Sequence, residues 1–371
     1  MSLRIPDAVW RLTLIVVAVV ALTGCLGQRP QVIAQRYVDA LKDRRYGDCY
    51  VMLTEKDRQT RTPDRFVSAI PLAPDVASTW FKLVLEATSY QVGESRRDGP
   101  RALVPVIVTT PDLARFERSV EAYVGADGDP VQAARDAFKG GEYPKVTYED
   151  DIVLVKEHHR WRVEVDFAAR DAAASKRRAG LEAYYKFDFS SAVSAYNDAL
   201  GILRKSDATG ARGLEFLYGR ELAEIMTIQT EAPAAKAYLP HLALSEVGMK
   251  MSADHRPAVF GKITNNGNRA IDGVRMIVTF FSGQGAGRHP IFSEDHTPIS
   301  TPLEFANFAI RAEPLAPGET RAFGVALGAP ATIEESGDPF VAVSEIIFTP
   351  SALMPAAEPG PGAGHEQQED E

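Results

Sequence analysis

The position of Cys25 gives the clearest indication of chemistry in this sequence. The chain has two cysteines, and Cys25 follows an apolar stretch, 12–22, in which Thr13 is the one polar residue; two small residues separate the stretch from Cys25. Arg4 and Arg11 lie in the short polar leader before that stretch. An apolar run of this length is too short to cross a bilayer comfortably as a helix, but it suits the central region of a secretory signal. We therefore expect this segment to be the central part of a signal peptide that is removed on export.

The tetrapeptide LTGC at 22–25 resembles the lipobox of bacterial lipoproteins. The resemblance implies a signal peptide over 1–24, a diacylglyceryl group on Cys25 and a short tether over 25–30. Several acyl chains on one residue anchor a protein stably, whereas a single chain does not. Leu26 stands where an aspartate would resemble an inner-membrane retention signal, which favours the periplasmic face of the outer membrane in an organism with two membranes. The alternative is an uncleaved membrane anchor with an incidental cysteine.

Two further segments contain residue types that could bind a cofactor or a metal. The glycine-rich stretch 283–287 follows a predicted strand, but the RHP sequence after it is unsuited to begin the helix that a dinucleotide site needs. Four potential metal ligands lie close together in sequence: His289, Glu294, Asp295 and His296. Their spacing matches no known site, and the chain lacks the Gly-x-Ser-x-Gly, His-Glu-x-x-His and paired-Cys motifs. We therefore expect no catalytic residue, no metal and no cofactor.

Composition and charge exclude one class of partner. The 371 residues are 45% hydrophobic and 25% charged, which fits a globular protein of two or three domains. The formal net charge is −9, and lysine and arginine do not cluster, so nucleic acid is not an expected partner. Loss of residues 1–24 removes two positive charges and one negative charge and changes the net charge from −9 to −10. Once Cys25 is lipidated, Cys49 has no partner in the chain, and we expect it to be a small buried hydrophobe.

Residues 31–168 combine helical and strand patterns. Ile33, Tyr37 and Leu41 recur every four residues and predict a helix over 31–43, and similar spacing predicts a second helix over 46–53. Strands are expected at 83–92, 102–109, 145–157 and 161–167 because apolar and β-branched residues dominate or alternate there. The dipeptide His158-His159 marks a turn, and 111–140 is expected to be largely helical.

Short helices before a curved antiparallel sheet, with Trp161 in its last strand, resemble the nuclear-transport-factor-2-like fold. The resemblance covers residues 31–168, with 111–140 as an insertion, and implies a cone whose interior can hold a ligand. Four tyrosines could line such a cone, although aromatics at helical spacing more often pack in cores; they are Tyr37, Tyr46, Tyr50 and Tyr90.

Residues 169–230 are rich in alanine and helical in period. Gly180, Ala192, Tyr196 and Ala199 have the spacing of consensus positions in a tetratricopeptide repeat, which this segment resembles. Lys176 stands where the family has its first aromatic residue. One repeat cannot bury its own face, and 211–228 can supply a third helix. The alternative is an antiparallel helical connector; either arrangement more often binds proteins than catalyses reactions.

The C-terminal part reads as a linker, a β-sandwich and a tail. Residues 231–240 contain two prolines and several alanines, which is typical of a linker, and 241–350 carry strand patterns. Two motifs in 241–350 resemble FxLYD-type immunoglobulin-like domains: Val259, Gly261, Asn265, Asn266 and Gly267, then Leu315, Pro317, Gly318, Glu319 and Phe323. The family's tyrosine and aspartate are replaced, since Phe281-Ser282 follow Phe280. Residues 351–371 are rich in proline, glycine and acid, which predicts a disordered tail.

These patterns predict a multidomain fold: an α+β cone-like domain, a short helical hairpin and a C-terminal antiparallel β-sandwich. The expected function is non-catalytic. We expect a lipid-anchored component of the cell envelope, attached to the membrane through Cys25, that binds another envelope protein. The alternative is binding of a small ligand or lipid inside the cone. An enzymatic function would need an acid or base within that cone, and the sequence places none there.

Overall fold

The computed structural model describes eight segments of the chain: residues 29–68, 83–112, 130–141, 143–251, 257–282, 289–299, 314–328 and 339–349. Contacts between residues divide the chain into two compact units. The first comprises Met1–Phe116, Val124–Arg178 and Tyr196–Arg220, and the second comprises Glu117–Tyr123, Ala179–Ala195 and Glu221–Glu371. Among the described residues, none of the helices combines the length and apolar character that a membrane-spanning helix needs.

The described part of the first unit begins with four helices: α1 (Pro30–Lys42), α2 (Tyr46–Met52), α3 (Glu55–Thr60) and α4 (Pro63–Ser68). Pro30 suits the first position of α1, because the backbone N–H that it lacks has no partner there. Ile33 and Tyr37 are buried on one face of α1, as their spacing predicts. Thr54 caps α3, since its hydroxyl oxygen accepts a hydrogen bond from the Asp57 N–H at 3.2 Å.

A curled five-stranded antiparallel sheet lies beside these helices. Its strands are β1 (Ser89–Val92), β2 (Arg96–Asp98), β3 (Arg101–Pro111), β4 (Lys145–Glu157) and β5 (Arg160–Val163), in the order β1-β3-β4-β5 with β2 also paired to β3. Pairing of β3 with β4 runs from Arg101 opposite Val155 to Pro111 opposite Lys145. The helix α5 (Pro130–Gly140) precedes β4.

His158 and His159 form the turn between β4 and β5, as the sequence predicts, with φ angles of 46° and 66°. Positive φ at both central residues is the geometry that joins two twisted antiparallel strands most directly.

One face of this sheet forms the core of the first unit. Val104, Val106 and Val108 on β3 are buried, whereas Ile107 between them is 41% exposed. This alternation is what a sheet with one covered face requires. The buried face joins Ile33, Tyr37 and Val38 of α1 in a single hydrophobic cluster that also contains Trp161 and Phe167.

Three longer helices follow: α6 (Phe167–Tyr185), α7 (Phe189–Lys205) and α8 (Ala211–Tyr238). The four repeat-like positions, Gly180, Ala192, Tyr196 and Ala199, are all buried. Lys176 takes the place of an aromatic residue and pairs with Asp198 at 2.8 Å. The loop between α7 and α8 contacts the curled sheet: the Val153 N–H of β4 donates to the Thr209 hydroxyl oxygen at 2.8 Å.

The second unit contains two three-stranded antiparallel sheets. In one, β7 (Pro257–Asn265) lies between β6 (Leu242–Met251) and β10 (Thr320–Ala326). In the other, β8 (Ile271–Ser282) lies between β9 (His289–Ile299) and β11 (Phe340–Phe348). Both sheets contribute to one hydrophobic cluster, with Val259 and Ile263 from the first and Val278 and Phe280 from the second. Sheets that share a core in this way form a sandwich.

Three segments differ from their sequence expectations. Residues 83–87 are helical, and the strand that follows begins at Ser89. β5 ends at Val163, although Val165 and Phe167 stay buried. Residues 231–238, expected to begin a linker, form the last turns of α8 with Pro233 inside the helix, and a 3-10 turn, Leu239–His241, follows. The Tyr238 side chain holds this end of α8 through a hydrogen bond to Asn265 at 3.0 Å.

Candidate functional site

A cavity of about 270 Å³ lies in the first unit, between the curled sheet and the helices. This volume is just below the range of about 300–1,000 Å³ that is typical of pockets for drug-sized ligands. The described residues that line it are Tyr37, Val38, Leu41, Arg61, Phe66, Tyr90, Val106, Val108, Asp150, Ile152, Phe167, Arg170, Thr209 and Gly210. The cavity therefore has mainly apolar walls with a small set of polar groups.

The apolar walls follow directly from the periodicity of three elements. Val38 and Leu41 lie three residues apart on α1, so both face the sheet. Val106 and Val108 alternate on β3, and Ile152 occupies the same face of β4. Phe66 and Phe167 complete the walls, with ring centroids 5.9 Å apart at an edge-to-face angle of 68°.

Asp150 is the acidic group of the cavity. Its Oδ1 accepts hydrogen bonds from the Asp151 N–H at 2.8 Å and from the Gly213 N–H, in the first turn of α8, at 3.2 Å. A Cβ at position 213 would lie 2.7 Å from Asp150 Oδ2, so glycine allows the carboxylate to approach the helix. Among the described residues, no donor reaches Oδ2 and no cation lies within 4 Å of the carboxylate. Burial raises the pKa of Asp150 above its ordinary value, against the lowering effect of the two backbone N–H groups and of Arg170.

Arg170, in the first turn of α6, is a basic group of the cavity and is opposite in charge to Asp150. Its Nη2 donates to the Thr209 carbonyl oxygen at 2.8 Å. Its Nε is buried, and no acceptor reaches it among the described residues. No described carboxylate lies within 4 Å of the guanidinium, whereas the other arginine of the cavity, Arg61, pairs with Asp171. The positive charge of Arg170 is therefore not neutralised by direct contact.

Two tyrosine hydroxyls also line the cavity. Tyr37 is 6% exposed, and none of the described groups forms a hydrogen bond with its hydroxyl; the same is true of the hydroxyl of Tyr90. Burial raises the pKa of both phenols, so both hydroxyls keep their protons at neutral pH. Both hydroxyls are therefore available to donate a hydrogen bond to a bound molecule or to accept one from it.

The other described residues that the sequence suggested, apart from the possible metal ligands, do not line the cavity. Tyr50 donates to the carbonyl oxygen of Arg61 at 3.0 Å, and Tyr46 is buried without lining the cavity. Cys49 is fully buried, as expected, and burial raises the pKa of its thiol to about 12. Cys25 and the glycine-rich stretch 283–287 lie outside the described residues.

The four potential metal ligands at 289–296 do not form one cluster, although His296 Nε2 lies 3.6 Å from Glu294 Oε2. Among the described residues, no group of three or more His, Cys, Asp or Glu side chains is placed to hold a metal ion. Asp295 pairs with Arg275 at 2.6 Å, and Glu294 Oε2 accepts a hydrogen bond from the Gly328 N–H at 2.9 Å. The expectation that the protein binds no metal stays a prediction.

Sequence reasoning found Tyr37 and Tyr90 but missed Asp150, Arg170 and Thr209. One signal for Asp150 was present, since Tyr148, Asp150, Ile152 and Leu154 alternate on the inward face of β4. An acidic residue in such a series is unusual and indicates a buried polar function. No local pattern marks Arg170 or Thr209, because the tertiary fold brings both to the cavity.

Comparison with known proteins leaves the family open: no protein-family model matches the chain, and no curated protein is significantly similar to it. The fold and the cavity define a protein of helices and antiparallel sheets in two compact units, one with a curled sheet and one with sandwich-like sheets.

Proposed function

We propose that the first unit binds a small ligand with an apolar body in its cavity, and that the chain does so as a lipid-anchored protein of the cell envelope. The observation that carries the ligand site is the buried residue Tyr37, which lines the cavity and whose hydroxyl forms no hydrogen bond with the described residues. Apolar walls with a few convergent polar groups are the usual composition of small-molecule sites.

The family resemblances of the two units support this proposal, but the proposal does not depend on them. A curled sheet next to short helices fits the nuclear-transport-factor-2-like resemblance, in which the cone interior holds the ligand. The sandwich fits the FxLYD-type resemblance, since the two motifs contact each other: the Gly318 N–H donates to the Asn265 carbonyl at 2.7 Å. The anchor rests on the sequence around Cys25.

Binding of an envelope protein partner stays a prediction. Within 172–228, all of which the structure describes, the one large hydrophobic side chain in the exposed class is Met226. A single exposed apolar residue gives the helices no patch of the kind that marks a protein interface. The cavity is therefore the better supported site.

The test of ligand binding uses two probe series, each with one apolar body. The aromatic series is L-phenylalanine, phenethylamine and 3-phenylpropionate, and the aliphatic series is L-leucine, isoamylamine and 4-methylpentanoate, with toluene as an uncharged probe. Binding to the full chain in detergent is measured by calorimetry. At least one probe should bind the wild-type protein, and Val108→Phe should weaken that binding at least about tenfold because the added ring fills the cavity.

The neighbouring residue provides the matched control. Ile107→Phe adds a ring to the exposed face of the same strand and should bind the probes as the wild type does. If Val108→Phe fails to fold, Val38→Phe on the opposite wall replaces it, with Val32→Phe on the exposed side of the same helix as its control. The proposal fails if no probe binds the wild-type protein, or if the cavity-filling variant binds as well as its control.

A further inference from the structure

The cavity contains one acidic and one basic group, neither of which is neutralised by a contact partner. Asp150 has no described cation within 4 Å, and Arg170 has no described carboxylate within 4 Å. The second arginine, Arg61, is paired with Asp171 and adds no net charge of its own. The two unneutralised groups of the cavity therefore have opposite charges and together sum to zero.

Partly buried charges in a low-dielectric site select strongly among ligands. A singly charged cation would be attracted by Asp150 but repelled by Arg170. A singly charged anion would be attracted by Arg170 but repelled by Asp150. At the effective dielectric constant of a partly buried site, such repulsion amounts to several-fold or more in affinity. A neutral molecule would leave Asp150 and Arg170 with only their attraction for each other, which acts over more than 4 Å.

From this arrangement we infer that the ligand is a small zwitterion with an apolar side chain, of the chemical class of a free apolar amino acid. This inference rests on the proposed function of the cavity and specifies its ligand. The ammonium group pairs with Asp150, whose Oδ2 has no described donor, and the carboxylate pairs with Arg170. The side chain packs against Val106, Val108 and Phe167.

The tyrosine hydroxyls complete this recognition. The Tyr37 and Tyr90 hydroxyls keep their protons, and each can donate to a carboxylate oxygen or accept from an ammonium group. Charge-assisted hydrogen bonds of this kind are roughly twice as strong as neutral ones and fix the orientation of a small ligand.

The two probe series test this inference directly. In each series the amino acid contains both charged groups, the amine contains the ammonium alone, and the acid contains the carboxylate alone. L-phenylalanine or L-leucine should bind the full chain at least about tenfold more tightly than both of its singly charged analogues. The inference is overturned if an amine, an acid or toluene binds as tightly as the amino acid, an outcome in which the proposed ligand site itself survives.

Charge-removing variants give an independent readout. Asp150→Asn keeps an oxygen acceptor for the two backbone N–H groups and should weaken binding of the amino acid about 10- to 100-fold. Arg170→Gln should do the same. For each, the matched control is the same type of change outside the lining: Glu149→Gln next to Asp150, and Arg178→Gln at an exposed position of the helix that carries Arg170. Both controls should bind as the wild type does. Equal affinity of all four variants for the amino acid would overturn the inference.

Discussion

Asp150 shows how a single residue can serve both the fold and the site. Its Oδ1 holds the backbone at the beginning of α8 and at Asp151, while its Oδ2 receives no hydrogen bond from the described residues. Burial raises the pKa of the carboxyl group, which means that the folded protein holds the proton more tightly than the unfolded chain does. The contribution of protonated Asp150 to stability is fully present below the unfolded-state pKa and is lost as the pH rises.

We predict that Asp150→Asn stabilises the ligand-free protein at neutral pH. Asparagine keeps an acceptor for the two N–H groups but removes the partly buried charge. The melting temperature of the variant should exceed that of the wild type at pH 7, and the difference should shrink as the pH falls toward the ordinary aspartate value of about 3.9. Thermal unfolding across this pH range measures the effect.

Glu149→Gln is the control for this pH dependence. Glu149 lies next to Asp150 on β4, but it is exposed, and it pairs with Arg212 at 3.0 Å. Its substitution should give no gain in melting temperature at pH 7. A difference between Asp150→Asn and the wild type that stays constant from pH 4 to pH 8 would show that burial of the charge is not what the substitution relieves.

Among the elements, the end of β7 organises the sandwich. The fully buried Asn265 side chain donates from Nδ2 to the carbonyl oxygens of Arg269, at 2.7 Å, and Leu315, at 3.1 Å. Its Oδ1 accepts from the Tyr238 hydroxyl at the end of α8 and from the Gly267 N–H. A Cβ at position 267 would lie 2.0 Å from the Tyr238 hydroxyl, so this turn needs glycine.

We predict that Asn265→Ala destabilises the second unit by about 2–4 kcal/mol, because several buried polar groups would lose their partners at once. Chemical denaturation monitored by circular dichroism measures the change. Asn266→Ala is the matched control, since Asn266 is the exposed neighbour in the same turn and should change stability by less than about 0.5 kcal/mol. A loss below about 1 kcal/mol for Asn265→Ala would contradict the assigned role.

Local patterns predicted most of these elements. The helices at 31–43 and 46–53 and the long strand at 145–157 follow from the spacing of their apolar residues, and the structure confirms them. The sequence did not predict the helical end of α8, because the two prolines at 231–240 indicate a linker. Tertiary contacts keep that segment helical: besides Tyr238, Glu231 pairs with Arg269 at 3.0 Å.

The candidate site was less predictable than the elements that form it. Periodicity alone predicts that Tyr37 and the alternating valines of β3 face inward. Asp150, Arg170 and Thr209, however, come from a strand, a helix and a loop that are separated in sequence. Only long-range pairing places them together, and a single sequence contains no local signal for such pairing.

At the scale of the whole molecule, each of the two compact units has a hydrophobic cluster of its own among the described residues. One cluster of buried side chains runs from Ile33 to Phe167 within the first unit, and the other runs from Ala235 to Phe348 within the second. The described part of the chain contains one cysteine, Cys49, and it is free. The described residues are therefore held together by packing and hydrogen bonds.

The proposed membrane anchor is tested by removing the two cysteines one at a time. Cys25→Ala should abolish metabolic labelling by a fatty-acid analogue and release the chain from the membrane fraction, since the thiol at position 25 is the proposed acylation site. Cys49→Ala is the matched control and should keep full labelling, because the Cys49 thiol is buried and its pKa is raised to about 12. Labelling that persists in Cys25→Ala, or that disappears in Cys49→Ala, would refute the assignment of the lipid to Cys25.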